Sequence, residues 1–429
     1  MDKLVISGNT HLKGEVTISG AKNSAIAILP ATLLVNGICN ISNLPNLSDV
    51  KISCEILENL GAKITWKNEH EISIDTRNIN STEASIDLTS KFRASYYLLG
   101  ALLGRFGKSV VGLPGGCNLG PRPIDQHIKA FEALGAEVEV EQGKITATSK
   151  ARLKGADIYF DIASVGATIN AMLAAVLSEG TTVISNAAKE PHIVDVANFL
   201  NTAGADISGA GTDEIKINGV KELKGNYSYS VVPDQIEAGT FMFAAVASKG
   251  DIVIKNCIPE HLDCIKAKII DMGAEVTYEN DQIHVVMNND IKSTNINTLP
   301  YPGFPTDLQA QAGVCLALAD GTSTINETIW ESRFQYTSEL NKMGAKITSQ
   351  GQVATFEGVE KLYGTSVEAT DLRAGAALLI AGIVADGKTT LYNTKYIDRG
   401  YEHIEEKFRQ LGATIEREEI SEDELIILN

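Results

Sequence analysis

Six stretches of the chain are apolar on nearly every face, and they recur at even spacing. They run from Asn23 to Leu34, Ala94 to Phe106, Ala167 to Leu177, Ala238 to Ser248, Leu308 to Ala319 and Ala374 to Ala385. A surface helix keeps a polar stripe; blocks rich in alanine and apolar all round predict buried helices. A glycine follows each block, at 37, 107, 180, 250, 321 and 387, and suits a helix C-cap. A short β-branched run comes next, as in Thr181–Ser185 or Asp251–Lys255, and predicts a strand. An amphipathic pattern then predicts a second helix, for example Ile124 to Leu134 or His403 to Leu411.

Each second helix ends on one phrase. It reads Leu60-Gly-Ala-Lys-Ile64, Leu134-Gly-Ala-Glu-Val138, Ala203-Gly-Ala-Asp-Ile207, Met272-Gly-Ala-Glu-Val276, Met343-Gly-Ala-Lys-Ile347 and Leu411-Gly-Ala-Thr-Ile415. Its glycines are 61, 135, 204, 273, 344 and 412, a period of 68 to 74 residues. A glycine there suits a tight reversal from helix to strand. The unit is therefore strand, helix, strand, helix, strand, strand, and the fold class is α/β, six βαβαββ repeats. Solenoids repeat every 20 to 50 residues or so, roughly, and this longer period predicts two globular domains of three repeats. Asn226 to Asp234, between the third and fourth repeats, is a plausible crossing. The strand before Lys22 is free to pair with the second half. The expected domains are 24–231, and 1–23 plus 232–429, with a cleft between them.

Composition narrows the partners. A net charge of −17 on 429 residues argues against nucleic acid and against an anionic membrane, since both need a basic face. Neither a signal peptide nor an apolar run long enough to span a bilayer is evident, and the cytoplasm is the expected location. The six cysteines (39, 54, 117, 257, 264 and 315) show no metal spacing, and neither do His127, His192 and His403. Free thiols in a reducing compartment are the expectation.

Chemistry is sought where the repeat breaks. Between the block-ending glycine and the Gly-Ala glycine, five repeats need 23 to 25 residues, whereas Gly107 to Gly135 spans 28. The surplus lies in Leu113-Pro-Gly-Gly-Cys-Asn-Leu-Gly-Pro-Arg-Pro123, a loop by its prolines and glycines. Cys117 on that loop is either an ordinary surface thiol or a reactive one, its pKa lowered by nearby cations. Of only ten arginines, five fall in matching slots: Arg93 and Arg373 before buried helices, where Lys22 stands in the first repeat, and Arg122, Arg333 and Arg399 near second helices. Guanidinium forks at helix N-termini build sites for phosphate and carboxylate; surface caps and ion pairs are the plainer explanation. Asp307 and Asp371 occupy similar Thr-Asp-Leu settings, each either an N-cap or a carboxylate held ionised beside arginine and able to act as a base.

Together these segments resemble a known family, and the likeness runs essentially end to end. Gly20-Ala-Lys-Asn23, Leu113-Pro-Gly-Gly-Cys117 with Arg122-Pro123, Ser164-Val-Gly-Ala-Thr168, Phe304-Pro-Thr-Asp307, Arg333, Thr370-Asp-Leu-Arg373 and Ile397-Asp-Arg-Gly-Tyr401 are similar to the enolpyruvyl transferases that act on UDP-N-acetylglucosamine. The resemblance implies a two-domain inside-out α/β barrel and a cofactor-free transfer of the enolpyruvyl group of phosphoenolpyruvate to the sugar 3′-hydroxyl, releasing phosphate. That is the first committed step of peptidoglycan synthesis. It implies that Cys117 is the general acid, forms a pyruvate-type adduct and is alkylated by fosfomycin, and that Asp307 is the base. Lys22, Arg122 and Arg399 are implied to hold phosphoenolpyruvate, with Arg333, Asp371 and Arg373 nearby. Asn23, Arg93, the run Arg122, Pro123, Ile124, Asp125 and Gln126, the turn Ser164, Val165 and Gly166, and also Asp307 and Ile329, are implied to contact the nucleotide sugar. Ile162 stands where some members carry lysine, and Tyr97 where some carry tryptophan. The sister enzyme acting on shikimate 3-phosphate, and an inactive anion-binding protein on the same repeats, are the competing readings.

Overall fold

A computed structural model describes residues 2–90, 93–113 and 124–420. The chain divides into two compact units, Gly20–Val232 and Met1–Ser19 with Pro233–Asn429. The break falls before Gly20, not before residue 24, because Ala21 N–H donates to the Val232 carbonyl (2.7 Å) and Lys22 opens a helix of the first unit.

Each unit has its own core, and helices fill it. The six apolar blocks form helices Lys22–Ala31, Tyr97–Phe106, Val165–Ala175, Gln235–Ala247, Gln309–Ala317 and Leu372–Val384. In the last of these, eleven consecutive residues from Arg373 to Ile383 are buried, as alanine-rich all-apolar segments require. Sheets form the outer layer, with alternating strand burial such as that of Asp251–Lys255. A recurring sheet has one parallel pair and two antiparallel pairs. Asn295–Asn297 runs parallel to Thr322–Asn326, which pairs antiparallel with Val353–Glu357, itself the partner of Lys346–Gln350. This is the βαβαββ unit laid flat.

Both units are stitched by strands distant in sequence. In the unit containing residues 233–420, Asp2–Ser7 lies between Lys388–Tyr392 and Thr414–Glu419, antiparallel to both. Lys13–Thr17 pairs in parallel with Asp251–Lys255. In the unit 20–232, Tyr227–Ser230 pairs in parallel with Ile38–Ser42. The expected crossing at 226–234 is thus largely a strand, and its Tyr-Ser-Tyr-Ser alternation is the period-2 pattern of one.

The six Gly-Ala glycines all have positive φ, between 93° and 105°, a conformation open to glycine at little cost. The block-ending glycines are less uniform. Gly107 is a left-handed C-cap, but Gly37 and Gly250 are not left-handed; a Cβ there would meet Gly225 Cα at 2.8 Å and the Leu12 carbonyl at 2.5 Å. Close backbone approach, not helix termination, requires them.

Candidate active site

In the unit containing residues 233–420, chemistry gathers around Asp307. The two Thr-Asp-Leu carboxylates divide the roles the sequence left open. Asp371 is an N-cap: it accepts from the Arg373 and Ala374 N–H groups (2.8 and 3.0 Å) and starts helix Leu372–Val384. Asp307 lies in the 3-10 turn Thr306–Leu308 and caps nothing. Arg333 Nη2 donates to one of its oxygens (2.8 Å) and Arg373 Nη2 to the other (2.9 Å). The arginine side chains are 7% and 4% accessible, and that of Asp307 is 29%. Burial alone would raise the Asp307 pKa, but the two guanidiniums outweigh it and hold the carboxyl well below the usual range.

Arg373 retains unused donors. Its Nε and Nη1 are buried with no acceptor among the described residues. Its guanidinium carbon is 5.3 Å from the ring centroid of Tyr401, whose hydroxyl shares a hydrogen bond with Thr240 Oγ1 (2.9 Å) and accepts from Gln311 Nε2 (3.0 Å). Buried donors beside a flanked carboxylate suit an anionic ligand. Arg399 ends the turn Thr394–Arg399 and is half-buried, as is Ile329.

In the unit 20–232, Lys22 is the first residue of its helix and pairs with Asp49 (2.8 Å), both almost fully buried; Asn23 beside it is half-buried. Two predicted segments meet here. Gln126 Nε2 donates to Asp125 (2.8 Å) and Asp161 (3.1 Å), and its Oε1 accepts from the Asp161 N–H (3.0 Å). This joins Ile124–Gln126 to the Ser164 turn. Ser164 caps helix Val165–Ala175 by accepting from Ala167 N–H (3.3 Å). A Cβ at Gly166 would meet the His127 ring at 3.0 Å, and His127 Nδ1 is 2.9 Å from Asn170 Nδ2. Ile162 is 61% exposed and Tyr97 half-buried.

Cys117, Arg122 and Pro123 lie outside the described residues, and Arg93 opens the turn Arg93–Tyr96. The other five cysteines are unpaired, and burial raises the pKa of each, Cys39 and Cys257 to about 11 and Cys54 to about 12. None of these five is poised as a thiolate. Among the described residues no His, Cys, Asp and Glu cluster fits a metal, and no helix is long and apolar enough to cross a membrane. Two carboxylates, Asp49 beside Lys22 in one unit and Glu327 beside the Asp307 turn in the other, escape sequence reasoning. Each stands in an unremarkable polar run, and only the fold brings its partners to it.

Residues 6–408 match the family described as EPSP synthase (3-phosphoshikimate 1-carboxyvinyltransferase). The chain belongs to the EPSP synthase family. Among its relatives in that family, the UDP-N-acetylglucosamine 1-carboxyvinyltransferase of Clostridium botulinum is 56% identical over 97% of this chain and 100% of its own length. UDP-N-acetylglucosamine 1-carboxyvinyltransferase 2 of Clostridium acetobutylicum is 54% identical over 98% and 100%. The crystal structure of the enolpyruvyl transferase NikO from Streptomyces tendae superposes with a TM-score of 0.88 at 26% identity, covering 98% of this chain and 99% of that one. The EPSP synthase-family fold is thus the α/β architecture of six repeats expected from the sequence.

Proposed function

We propose that the protein is a UDP-N-acetylglucosamine 1-carboxyvinyltransferase. It transfers the enolpyruvyl group of phosphoenolpyruvate to the 3′-hydroxyl of UDP-N-acetylglucosamine and commits the sugar to peptidoglycan synthesis. Full-length identity above 50% to relatives of that name supports the substrate pair. The observation that carries the chemistry is Asp307 held between two buried guanidiniums.

The reaction is addition followed by elimination. The sugar oxygen bonds to C2 of phosphoenolpyruvate as C3 gains a proton. The adduct then loses a C3 proton and breaks its C2–O bond to phosphate, which restores the double bond. Asp307 takes the hydroxyl proton. Clamped by two arginines, it is a weak base; it gains basicity as an anionic substrate draws on those guanidiniums through the spare donors of Arg373. Cys117 protonates C3 and can add covalently to phosphoenolpyruvate. Lys22, Arg122 and Arg399 hold its phosphate and carboxylate, with Arg333, Asp371 and Arg373 alongside. Asn23, Arg93, the run from Arg122 through Gln126, the Ser164–Gly166 turn and Ile329 contact the nucleotide sugar. No metal or organic cofactor takes part, and the cytoplasm keeps the thiol reduced.

Phosphate release from phosphoenolpyruvate tests this, with UDP-N-acetylglucosamine and shikimate 3-phosphate supplied separately, wild type beside Cys117→Ala. Release with the nucleotide sugar alone, lost in the variant, is the expected result. Release with shikimate 3-phosphate alone would transfer the protein to the sister reaction. Release with neither would leave an anion-binding protein.

A further inference from the structure

Glu327 is fully buried at the end of strand Thr322–Asn326, yet its carboxylate accepts five hydrogen bonds. They divide between its oxygens. Oε1 accepts from Thr298 Oγ1 (2.8 Å) and from the backbone N–H groups of Ile329 (2.9 Å) and Trp330 (3.2 Å). Oε2 accepts from Thr306 Oγ1 (2.7 Å) and Gln309 Nε2 (3.0 Å). Thr306 and Gln309 bracket Asp307 along the chain. Gln309 is fixed in turn, since its Oε1 accepts from the Tyr336 hydroxyl (2.8 Å). The same Thr298 braces the other flank: its Oγ1 accepts from the Thr328 N–H (2.9 Å) and its carbonyl from the Thr328 hydroxyl (2.5 Å). One carboxylate thus sets the backbone at Ile329 with one oxygen and the turn carrying Asp307 with the other.

We infer that Glu327 is a positioning residue for the transfer, its Oε1 placing the Ile329 segment against the nucleotide sugar and its Oε2 placing Asp307 at the hydroxyl. The role rests on the proposed function. A buried carboxylate is costly unless its lone pairs are filled, and here they are filled by the two segments that must keep register with each other. The Asp307 turn leads into helix Gln309–Ala317, whereas the Ile329 segment belongs to no helix or strand, so the shared acceptor ties that loop to the helix start.

The two oxygens are separable by mutation. In Glu327→Gln, the amide oxygen takes the Oε1 position, because the backbone N–H groups there cannot turn away. The amide NH2 then faces Thr306, whose hydroxyl turns to accept, and Gln309 Nε2, which is left donor against donor, so the Asp307 side loses its charged acceptor while the Ile329 side keeps an oxygen. Thr306→Val removes one donor from the Oε2 side alone. Glu327→Ala removes both links. Hydrogen bonds to a charged acceptor are strong enough that loss of a link is expected to cost about tenfold in the step it serves.

Steady-state kinetics with both substrates varied, per mole of folded protein by circular dichroism, test the assignment. For Glu327→Gln and Thr306→Val the expected result is a fall in kcat of about tenfold, with KM for UDP-N-acetylglucosamine within about twofold of wild type. For Glu327→Ala the expected result is a rise of about tenfold in that KM as well, with KM for phosphoenolpyruvate little changed. A purely structural role would lower the melting temperature and the folded yield while leaving kcat per folded molecule and both KM values alone; that outcome overturns the inference. Should Glu327→Ala fail to fold, the Glu327→Gln and Thr306→Val split between kcat and KM decides. Wild-type protein that releases no phosphate overturns the proposed function and this role with it. Turnover in wild type with unaltered variants overturns this role alone.

Discussion

Asp307 meets two guanidiniums before any substrate arrives, and this fixes how it responds to pH. Its folded pKa is depressed by Arg373 and Arg333 against the effect of burial. The stability it contributes is therefore complete above the unfolded carboxyl value of about 3.9 and is lost as pH falls below that, through the folded pKa. Asp307→Asn should lower kcat by about a hundredfold or more. It should also lower the melting temperature, because two nearly buried guanidiniums lose their counter-charge. The melting gap between variant and wild type should stay constant from pH 8 to about 5 and close below about 4. A gap that stays constant into strong acid would show a carboxyl of ordinary pKa, and one that widens from pH 7 to 5 a raised pKa. The sequence showed Asp307 and Arg373 as candidates through their matching slots, but it could not choose between cap and ion pair for the two aspartates. That choice depends on Arg333, a third segment brought in by folding.

The repeated Gly-Ala turn is the element most fully written in the sequence, since a positive φ at six equivalent places demands glycine six times. The turns are nevertheless not equal. At Gly135 a Cβ would have nothing within 4 Å, so Gly135→Ala should show backbone strain alone, about 1 to 2 kcal/mol. At Gly61 the Cβ would lie 2.7 Å from the Asn78 carbonyl and 3.0 Å from the Asn80 N, so Gly61→Ala should cost more than Gly135→Ala. Urea unfolding of the two variants checks the order, and equal costs would mean that the Asn78 loop yields freely. The buried helices were legible for a similar reason, being long and uniformly apolar. Strand pairing was not: nothing in Tyr227–Ser230 names Ile38–Ser42 as its neighbour. Glu327 was hidden in the same way, because three of its five donors, Thr298, Thr306 and Gln309, come from segments distant in sequence that only the fold assembles.

At the level of the whole molecule, the first strands carry unusual weight for so short a stretch. Leu4, Ile6, Leu12, Val16 and Ile18 are all buried in the core of the unit that also holds residues 233–420. Deleting residues 2–17 would leave Lys388–Tyr392 and Thr414–Glu419 without the strand that separates them, and would expose an edge of Asp251–Lys255. Hydrogen exchange of such a truncated chain should show lost protection across 233–420 and retained protection across 20–232. Uniform loss throughout would mean that the two cores do not unfold independently. The same threading orders events on the ribosome. Residues 20–232 hold every strand their own sheets need and can close while the rest is still being made. Asp2–Ser7 emerges before that unit, yet both its neighbours, Lys388–Tyr392 and Thr414–Glu419, are made only after residues 20–387. Lys13–Thr17 waits for Asp251–Lys255, and Asp2–Ser7 has no neighbour until Lys388–Tyr392 is made, so the unit that carries Asp307 closes after the other and, during synthesis, is the more exposed to misassociation.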